Sequence, residues 1–262
     1  MTTPSVSIIS VCLNEAPERI RTTLDSILEQ QDVKLELIVI DGGSKEDTLA
    51  ALRTYQCRMR TMLSEPDRGL YDAMNKGLRL ASGDWILFMN IGDRFSAPDV
   101  LRTMLAAAGD HAEILIGDMR CNGKEFYPTY PRFSWLSYYP GKRFVCNQAM
   151  LTRRNVFRTV GDFNLAYATL ADFDWFHRCL RAGIAISHVN IVVCDWEAGG
   201  VSSDKESARE QIRRIENVHY TGVEQGFARL YWFAIRVGNG ISRRFHSCRV
   251  TLGYQSNTAR KG

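Results

Sequence analysis

The sequence predicts an α/β fold with a mostly parallel central sheet flanked by helices, followed by a less regular lobe and a helical C-terminal tail. In the first half, short apolar runs alternate with segments of helical periodicity, a pattern typical of βαβ units and a parallel sheet. The 262 residues are 45% hydrophobic, which is enough to bury the core of one such domain with an appendage. Neither an internal repeat nor a low-complexity linker interrupts the pattern.

The elements of the first half follow one another in strict alternation. Apolar β-type runs predict four strands, at 5–11, 35–41, 60–65 and 85–90. Amphipathic segments predict four helices, at 17–29, from Ser44 to Tyr55, at 70–81, and from near Pro98 onward. Pro17 suits the first turn of its helix, and the Ser44 hydroxyl is expected to cap the second helix.

The second half gives weaker signals. Residues 117–141 are rich in aromatic residues and proline without a clear period, which indicates an irregular lobe over one end of the sheet. Further strands are predicted at 145–152 and 184–194, a helix at 172–182, and a Gly-Gly-Val-Ser loop after the last strand. We therefore expect one α/β domain at 1–205, with halves at about 1–95 and 96–205, and a basic amphipathic helical tail at 206–262.

Composition excludes several classes of protein. The seven cysteines are odd in number and scattered, without a Cys-x-x-Cys pair, so we expect reduced thiols and neither a disulfide framework nor a zinc site. Residues 206–262 carry a net charge of +6, and the rest of the chain −2. A near-neutral body with a basic tail argues against a nucleic-acid-binding core and favours contact of the tail with anionic lipid.

The distribution of apolar and basic residues bears on the cellular location of the protein. The first twelve residues lack a basic segment before their apolar run, so they are predicted to form a strand and not a signal peptide. Since no uncharged apolar stretch reaches about 18 residues, no membrane-spanning helix is predicted. The expected location is the cytoplasm, with peripheral attachment to the inner face of the plasma membrane.

Polar residues follow each of the first four predicted strands. Ligands of open α/β sheets bind outside the carboxyl ends of the strands, so these residues are the first candidates for a site. They are Asn14 and Glu15, Asp41, Glu65 and Asp67, and Asn90 and Asp93. Any one of them is explained as a turn or cap residue, but four in succession favour a shared site.

The chemistry of this rim is acidic. The first strand–helix turn lacks the glycines of a dinucleotide site, and no Walker-type Gly-x-x-x-x-Gly-Lys occurs. Carboxylates attract a diphosphate through a divalent cation, which takes oxygen ligands from both groups. The rim therefore fits metal-assisted nucleotide-sugar chemistry.

At these residues the sequence resembles the family-two glycosyltransferases with a GT-A, Rossmann-like fold, and most closely their colanic-acid and exopolysaccharide branch. The matching stretches occur in family order over about residues 5–205. They are VSIISVCLNE, LIVIDGGSKEDT, SEPDRGLYDAMNKGLRLASGDWILFMNIGD, CNQAM, ATLADFDWFHR and EAGGVSS.

The resemblance implies roles for individual residues toward a nucleotide-diphosphate sugar. Asn14 and Glu15 border the nucleotide pocket, and Asp41 hydrogen-bonds the base. Asp67, with Arg68 beside it, lies near the base or ribose. The other implied contacts are Asn75 and Lys76 near the donor, and Asn147, Gln148, Gly200 and Ser202 around the donor sugar and acceptor.

The resemblance also implies the reacting groups, with departures from the family pattern. Asp93 matches the last acid of a metal-binding motif that otherwise has paired aspartates, so a bound Mg²⁺ or Mn²⁺ would rely on one carboxylate, water and diphosphate oxygens. Asp172 matches the catalytic base, but Ala171 replaces the glutamate that many relatives carry before it. Asn147 stands where close relatives often have histidine.

The implied reaction inverts the configuration at the anomeric carbon in one displacement. Asp172 takes the proton of the acceptor hydroxyl, and a cation at Asp93 stabilises the departing diphosphate, supplemented by Arg68, Lys76 or Arg209. The acceptor is expected to be a saccharide, including a lipid-linked oligosaccharide. Structural readings stay open beside these: Asp172 as a helix N-terminal charge, Asp174 as a solvated or structural helix residue, and Lys76 as a solvated surface residue.

The tail allows two interpretations. Apolar residues recur near helical spacing from Phe227 to Phe245 beside a stripe of arginines, with no acid after Glu224. Such a segment suits a helix in the lipid interface, broken near Gly238 and Gly240, or a helix packed on the domain with a solvated basic face.

Two other functions remain as alternatives at this point. A sugar nucleotidyltransferase also uses an acidic nucleotide fold, but it should have a glycine-rich basic loop after the first strand, where this chain has Asn-Glu-Ala-Pro. A non-catalytic module that binds carbohydrate or a partner enzyme would be compatible with Ala171 and the reduced acidic motif.

Overall fold

The computed structural model describes residues 4–109, 111–126, 146–196, 205–223, 225–226 and 230. The chain divides into two compact units, one comprising residues 1–130 and 143–215 and the other 131–142 and 216–262. All strands and the first six helices belong to the first unit, and the last helix extends into the second.

The described part of the first unit is built around a nine-stranded mixed sheet. In chain order the strands are β1 (Ser5–Cys12), β2 (Lys34–Asp41), β3 (Thr61–Ser64), β4 (Trp85–Phe88), β5 (Arg94–Phe95), β6 (Ile114–Cys121), β7 (Lys124–Phe126), β8 (Met150–Arg153) and β9 (Ile186–Trp196). They are arranged in the order β3-β2-β1-β4-β8-β6-β9-β5, and β7 pairs with β6.

Seven helices flank this sheet in the described residues. They are α1 (Pro17–Leu28), α2 (Glu46–Arg53), α3 (Leu70–Leu80), α4 (Val100–Ala106), α5 (Arg154–Val160), α6 (Ala171–Arg181) and α7 (Lys205–His219). The apolar faces of α1, α2 and α4 join one hydrophobic cluster, and those of α3, α5, α6 and the middle of α7 join a second. Because side chains alternate across a strand, β1 serves both clusters, with Ile8 in the first and Ile9 in the second.

The strand directions determine which strand ends lie together at one edge of the sheet. β1, β2, β3 and β4 are parallel to one another. β8 is antiparallel to both β4 and β6, so β6 runs in the same direction as β4, and β9 is parallel to β6. The carboxyl ends of β1–β4, β6 and β9 therefore lie at the same edge as the start of β8.

Helix α3 lies unusually close to the sheet. Its residues Tyr71–Leu78 are all buried, including the polar Asp72, Asn75 and Lys76. Gly77 faces β1, where a Cβ atom would stand 2.3 Å from Cγ2 of Ile9. Glycine at this position lets the helix approach the strand to a distance that any larger residue would prevent.

The predicted α/β fold with a central sheet flanked by helices is confirmed, and the sheet is mixed because β5, β7 and β8 run antiparallel to their neighbours. The individual elements need four corrections. β6 and β7 form a hairpin whose residues 117–126 fall in the segment interpreted as irregular, and the strand predicted from 145 begins at Met150. Short β5 and α5 were not predicted. Finally, α2 begins after Lys45 without a side-chain cap, and the Ser44 hydroxyl instead accepts a hydrogen bond from Asn14 N.

Candidate active site

The end of β1 is fixed to the loop after β2 through Asn14. Its backbone N–H donates to Ser44 Oγ at 2.7 Å, and its Oδ1 accepts from Lys45 N at 3.0 Å. Asn14 has φ 52°, a left-handed conformation that asparagine tolerates better than most residues. Glu15, the next residue, forms an ion pair with Arg19 at 2.7 Å on α1. Asn14 thus shapes the rim, and Glu15 is held toward α1.

Asp41 ends β2 as a fully buried carboxylate. Its Oδ2 accepts from Gly43 N, Ser44 N and Ser64 Oγ at 3.1, 3.0 and 2.7 Å. Its Oδ1 is also buried but has no hydrogen-bond partner among the described residues. A buried acceptor without a partner is costly, so Oδ1 is suited to receive an N–H group from a ligand.

Asp67 lies beside the same turn. A Cβ atom at Gly42 would stand 2.4 Å from Asp67 Oδ2 and 3.3 Å from Leu13 Cδ1, so only glycine leaves room for this arrangement. Asp67 Oδ1 accepts from Gly69 N at 2.8 Å. Leu13 was not predicted as a site residue, yet its side chain is 53% exposed at this polar rim. The signal in the sequence was an apolar residue directly before Asn-Glu.

Three residues predicted to contact the donor have protein partners here. Arg68 pairs with Asp72 at 3.1 Å, and Asn75 exchanges two hydrogen bonds with the backbone of Phe163, at 2.9 and 3.0 Å. Lys76 Nζ donates to Pro66 O at 2.8 Å and pairs with Glu65 at 3.0 Å. Lys76 is only 9% exposed, so its interpretation as a solvated surface residue is wrong. Asn75 and Lys76 position neighbouring backbone in this structure.

Asp93 belongs to a tightly held turn after β4. Its Oδ2 accepts from Gln148 Nε2 at 2.7 Å, and its carbonyl accepts from Thr23 Oγ1 at 2.7 Å. The Thr23 oxygen in turn accepts from Gly92 N at 2.9 Å. Gln148 lies in a 3-10 turn, Asn147–Ala149, that leads into β8. The structure therefore brings together Asp93 and Gln148, which are 55 residues apart in sequence.

The segments around Asp93 contain oxygen atoms of the type that a hard divalent cation binds. Asn90 shares the turn with Asp93, whose N–H donates to Asn90 O at 3.1 Å, and Asn147 precedes Gln148. Asn90 Oδ1 and Asn147 Oδ1 are buried and have no hydrogen-bond partner among the described residues. One carboxylate and two amide oxygens are the ligand types that Mg²⁺ and Mn²⁺ accept. The described ranges hold no cluster of three or more His, Cys, Asp or Glu side chains arranged for a metal.

Asp172 is the second residue of α6, and it is held by α3. Its Oδ1 accepts from Tyr71 Oη and from Phe173 N, both at 2.8 Å, and Oδ2 accepts neither of these bonds. Burial raises the pKa of Asp172 above 3.8, and these hydrogen bonds, which stabilise the charged form, oppose that rise. A carboxylate with a raised pKa is a stronger base than a solvated one.

Cys146 belongs to the surroundings of Asp93, because its Sγ donates to Gln148 Oε1 at 2.5 Å. Burial and the neighbouring Asp172 raise the pKa of Tyr71 well above 10. Asp93 follows β4, and Asp172 is held by Tyr71 at the start of α3, which follows β3, so both lie at the edge formed by the carboxyl ends of the parallel strands. Asp174, by contrast, is buried and paired with Arg178 at 3.0 Å, which confirms its structural interpretation.

Some predicted residues lie elsewhere. Gly200 and Ser202 are outside the described residues, so their place stays a prediction. Arg209 is exposed on α7. Of the helices in the described ranges, none is both long enough and apolar enough to cross a membrane.

Comparison with known proteins adds family information. The profile described as Glycosyl transferase family 2 matches residues 7–162. A PGL/p-HBAD biosynthesis glycosyltransferase of Mycobacterium bovis is 34% identical over 216 residues, which cover 79% of this chain and 83% of the relative.

Solved structures share the fold at low sequence identity. S. aureus TarS 1–349 has a TM-score of 0.66 at 18% identity, covering 91% of this chain and 74% of that one, and its structures include complexes with UDP and UDP-GlcNAc. The chain spans 39% of the longer TarS structure. Mannosyltransferase PcManGT of Pyrobaculum calidifontis, in complex with GDP-Man and Mn²⁺, has a TM-score of 0.65 at 17% identity, covering 96% and 81%.

Proposed function

Since the chain belongs to glycosyl transferase family 2 and is a glycosyltransferase, we propose that it transfers a sugar, with inversion, from a nucleotide diphosphate to a saccharide acceptor. The observation that supports this proposal is the placement of three acids at the carboxyl edge of the sheet: Asp41 ends β2, Asp93 follows β4, and Asp172 is held by Tyr71 at the start of α3, which follows β3. The family match favours this function over the nucleotidyltransferase and the non-catalytic module.

The nucleotide is proposed to bind across the ends of β1 and β2. Asp41 Oδ1 would accept an N–H of the base, because this buried oxygen has no hydrogen-bond partner among the described residues. Leu13 offers an exposed apolar surface beside the Gly42 turn, against which a flat base can pack. Asn14 and Asp67 complete the rim near the base and ribose.

A divalent cation is proposed to bind at Asp93, with Asn90 and Asn147 as further candidate ligands. Such an ion would neutralise part of the negative charge of the diphosphate. The Mn²⁺ that accompanies GDP-Man in the complex of the archaeal mannosyltransferase makes a divalent cation a reasonable expectation here.

Asp172 is proposed to be the catalytic base. The acceptor hydroxyl gives its proton to the Asp172 carboxylate while its oxygen forms a bond to the anomeric carbon. The bond between that carbon and the diphosphate oxygen breaks with its electron pair, and the nucleoside diphosphate leaves. The hydrogen bonds from Tyr71 and Phe173 N orient the carboxylate, and its raised pKa favours proton uptake.

The acceptor is proposed to be a saccharide, including a lipid-linked oligosaccharide, bound near Asn147, Gln148, Gly200 and Ser202. Its biosynthetic role is proposed to lie in cell-surface or exopolysaccharide assembly, as in the colanic-acid branch, at the inner face of the plasma membrane. The similar mycobacterial protein is named for PGL/p-HBAD biosynthesis, so assignment to a branch rests on the sequence motifs.

Donor turnover tests this function. We expect one of a panel of UDP-, GDP- and dTDP-sugars to raise the melting temperature and to be hydrolysed slowly with Mg²⁺ or Mn²⁺. Asp172→Asn should lower turnover about 10²–10⁴-fold and leave the donor-induced rise in melting temperature unchanged, because the base acts only on the attacking hydroxyl.

The matched control is Asp47→Asn, an exposed aspartate near the start of α2, which should keep full turnover. Near-normal turnover of Asp172→Asn with normal donor binding would exclude Asp172 as the base. Absence of any donor effect on melting temperature or turnover would contradict the proposed function itself.

A further inference from the structure

A pocket lies on the α1 side of the turn that carries Asp93. Its volume is about 290 Å³, close to the lower end of the range of small-molecule sites. Its wall combines residues from α1, β5, the β6–β7 turn and the end of β9: Glu18, Thr22, Arg94, Asn122, Asp195 and Trp196. Asp172 and its partner Tyr71 belong to the opposite helical layer. The proposed catalytic base thus takes no part in this pocket.

Gly92 forms part of this pocket together with Arg19. A Cβ atom at Gly92 would stand 2.0 Å from Arg19 Nη2, so the guanidinium lies directly against the glycine. Gly92 has φ +107°, which other residues rarely adopt. No side chain at position 92 fills the pocket, and the Arg19 guanidinium packs against the backbone before Asp93 instead.

The charges of the lining residues balance. Two acidic side chains, Glu18 and Asp195, face two arginines, Arg19 and Arg94. Arg94 pairs with Asp195 at 3.1 Å, and Arg19 pairs with Glu15 at 2.7 Å. A phosphate would need an excess of positive charge, and a metal ion would need carboxylates that are not neutralised by arginine. The balance favours a neutral ligand.

The remaining groups suit a ring with many hydroxyl groups. Carboxylate oxygens accept hydrogen bonds from hydroxyls, guanidinium and amide N–H groups donate to them, and Asn122 and Thr22 do both. Trp196, partly exposed at the end of β9, adds an aromatic surface for the apolar C–H face of such a ring.

We propose that this pocket binds a neutral sugar ring, as a saccharide subsite separate from the residues assigned to the donor and to the attacking hydroxyl. The inference goes beyond the proposed transfer reaction, because it requires saccharide binding and no turnover. Its ligand class follows from a balanced set of donors and acceptors beside the partly exposed Trp196.

Saturation-transfer NMR on the full chain tests this inference, with neutral methyl glycosides of glucose, galactose, mannose and rhamnose as probes at millimolar concentration. We expect at least one to give a signal. Thr22→Trp should weaken its binding at least about tenfold by filling the pocket from an exposed helix position, and Glu18→Gln should weaken it less, by removing one charged acceptor.

Thr159→Trp is the matched control, since Thr159 is likewise an exposed helical threonine whose hydroxyl donates to the carbonyl four residues earlier. Gln148→Ala tests whether the glycoside binds instead at the proposed donor-sugar and acceptor site near Asp93. A signal that survives Thr22→Trp, a signal abolished only by Gln148→Ala, or no signal from any glycoside would overturn the inference. Nucleotide-induced shifts in melting temperature, measured on the same samples, report separately on the proposed transferase function.

Discussion

At the scale of single residues, the contact between Tyr71 and Asp172 decides how basic the proposed catalytic group is. Burial raises the pKa of Asp172, and the hydrogen bond from Tyr71 Oη limits that rise by stabilising the carboxylate. The sequence placed Asp172 near the start of a helix and Tyr71 in another helix, and no spacing rule connects residues 101 positions apart. Their meeting follows from packing of α3 against α6, which only the tertiary structure shows.

We predict that Tyr71→Phe moves the acidic limb of the pH profile of kcat/KM to higher pH. Without the phenol, the charged form of Asp172 loses a stabilising hydrogen bond, so its pKa rises and less of the base is deprotonated at a given acidic pH. A hydrogen bond to a charged group contributes roughly 1.5–3 kcal/mol, so the limb should move by about one pH unit or more.

Tyr55→Phe provides the control, because Tyr55, just after α2, donates its hydroxyl to Asp25 on α1 at 2.8 Å in a comparable pair. Its pH profile should match that of the unchanged chain. An acidic limb that stays in place in Tyr71→Phe would show that Asp172 does not set it.

Asn75 and Lys76 show the limit of residue-by-residue inference from a motif. Their place at the predicted rim follows from the sequence, because α3 comes directly after β3. Their buried contacts with Phe163 and Pro66 do not follow, since these depend on where the backbone of distant segments lies. A polar residue in a family motif can serve the site by holding its framework.

At the scale of elements, Glu36 joins the starts of three strands at the edge opposite the proposed site. It accepts hydrogen bonds from the Ser7 hydroxyl on β1, from both the backbone N and the hydroxyl of Ser82, and from Gly83 N before β4. Burial alone would raise the pKa of Glu36, but these hydrogen bonds outweigh it and lower the pKa below 4.5. The carboxylate therefore ties β2 to its sheet neighbour β1 and to the segment before β4, which pairs with β1 on its other side.

We predict that Glu36→Gln lowers the free energy of unfolding by about 2 kcal/mol at neutral pH, since several hydrogen bonds to a charge are weakened. Because the folded-state pKa is lowered, this contribution is present above pH 4.5 and is lost as the pH falls through the folded-state value. Urea unfolding at pH 7 and at about pH 3 measures both effects.

The comparison variant is Glu46→Gln, which breaks an exposed pair with Arg53 on α2 and should change stability by less than about 1 kcal/mol. A difference between Glu36→Gln and the unchanged chain that persists undiminished in acid would contradict the assignment to the ionised carboxylate.

The elements that the sequence predicted well are those with a clear period. α1 is recognisable from Pro17 and from Ile20, Leu24 and Ile27 at helical spacing. β6 was missed because its sequence, ILIGDMRC, contains a glycine, an aspartate and an arginine, although seven of its eight residues are buried. Such a strand lacks alternation, and its pairing with both β8 and β9 is not written in local sequence.

At the scale of the whole molecule, the sequence predicted which strand ends carry the acids of the site. It did not predict whether the basic tail contacts lipid or packs on the domain. The common edge follows from a parallel sheet, and the acids at its strand ends followed directly from the sequence. Gln148 reaches Asp93 because its turn leads into β8, which is antiparallel to β4. Local sequence patterns did not predict this strand direction. The sequence therefore predicted the acids of the site but not the contacts between them.

We predict that the full chain floats with liposomes containing anionic lipid and that a chain ending at Glu224 does so much less. Residues after Glu224 contain arginines and lysine without any acid, and each basic residue near an anionic surface contributes about 1 kcal/mol. Raising the salt concentration should release the full chain, because the attraction is screened. Neutral liposomes are the control, and equal flotation of the two chains would remove the membrane interpretation.

Gly77 illustrates how a position without any functional group can govern reactivity. Because a methyl group there would collide with Ile9, substitution would push α3 away from β1. That helix carries Tyr71 in its first turn and Lys76 beside the glycine, so displacement would disturb the phenol that tempers Asp172 and the lysine that secures the Glu65–Pro66 backbone. Position 77 therefore tolerates substitution as poorly as the acids of the site do, and a redesign of donor preference should keep the glycine.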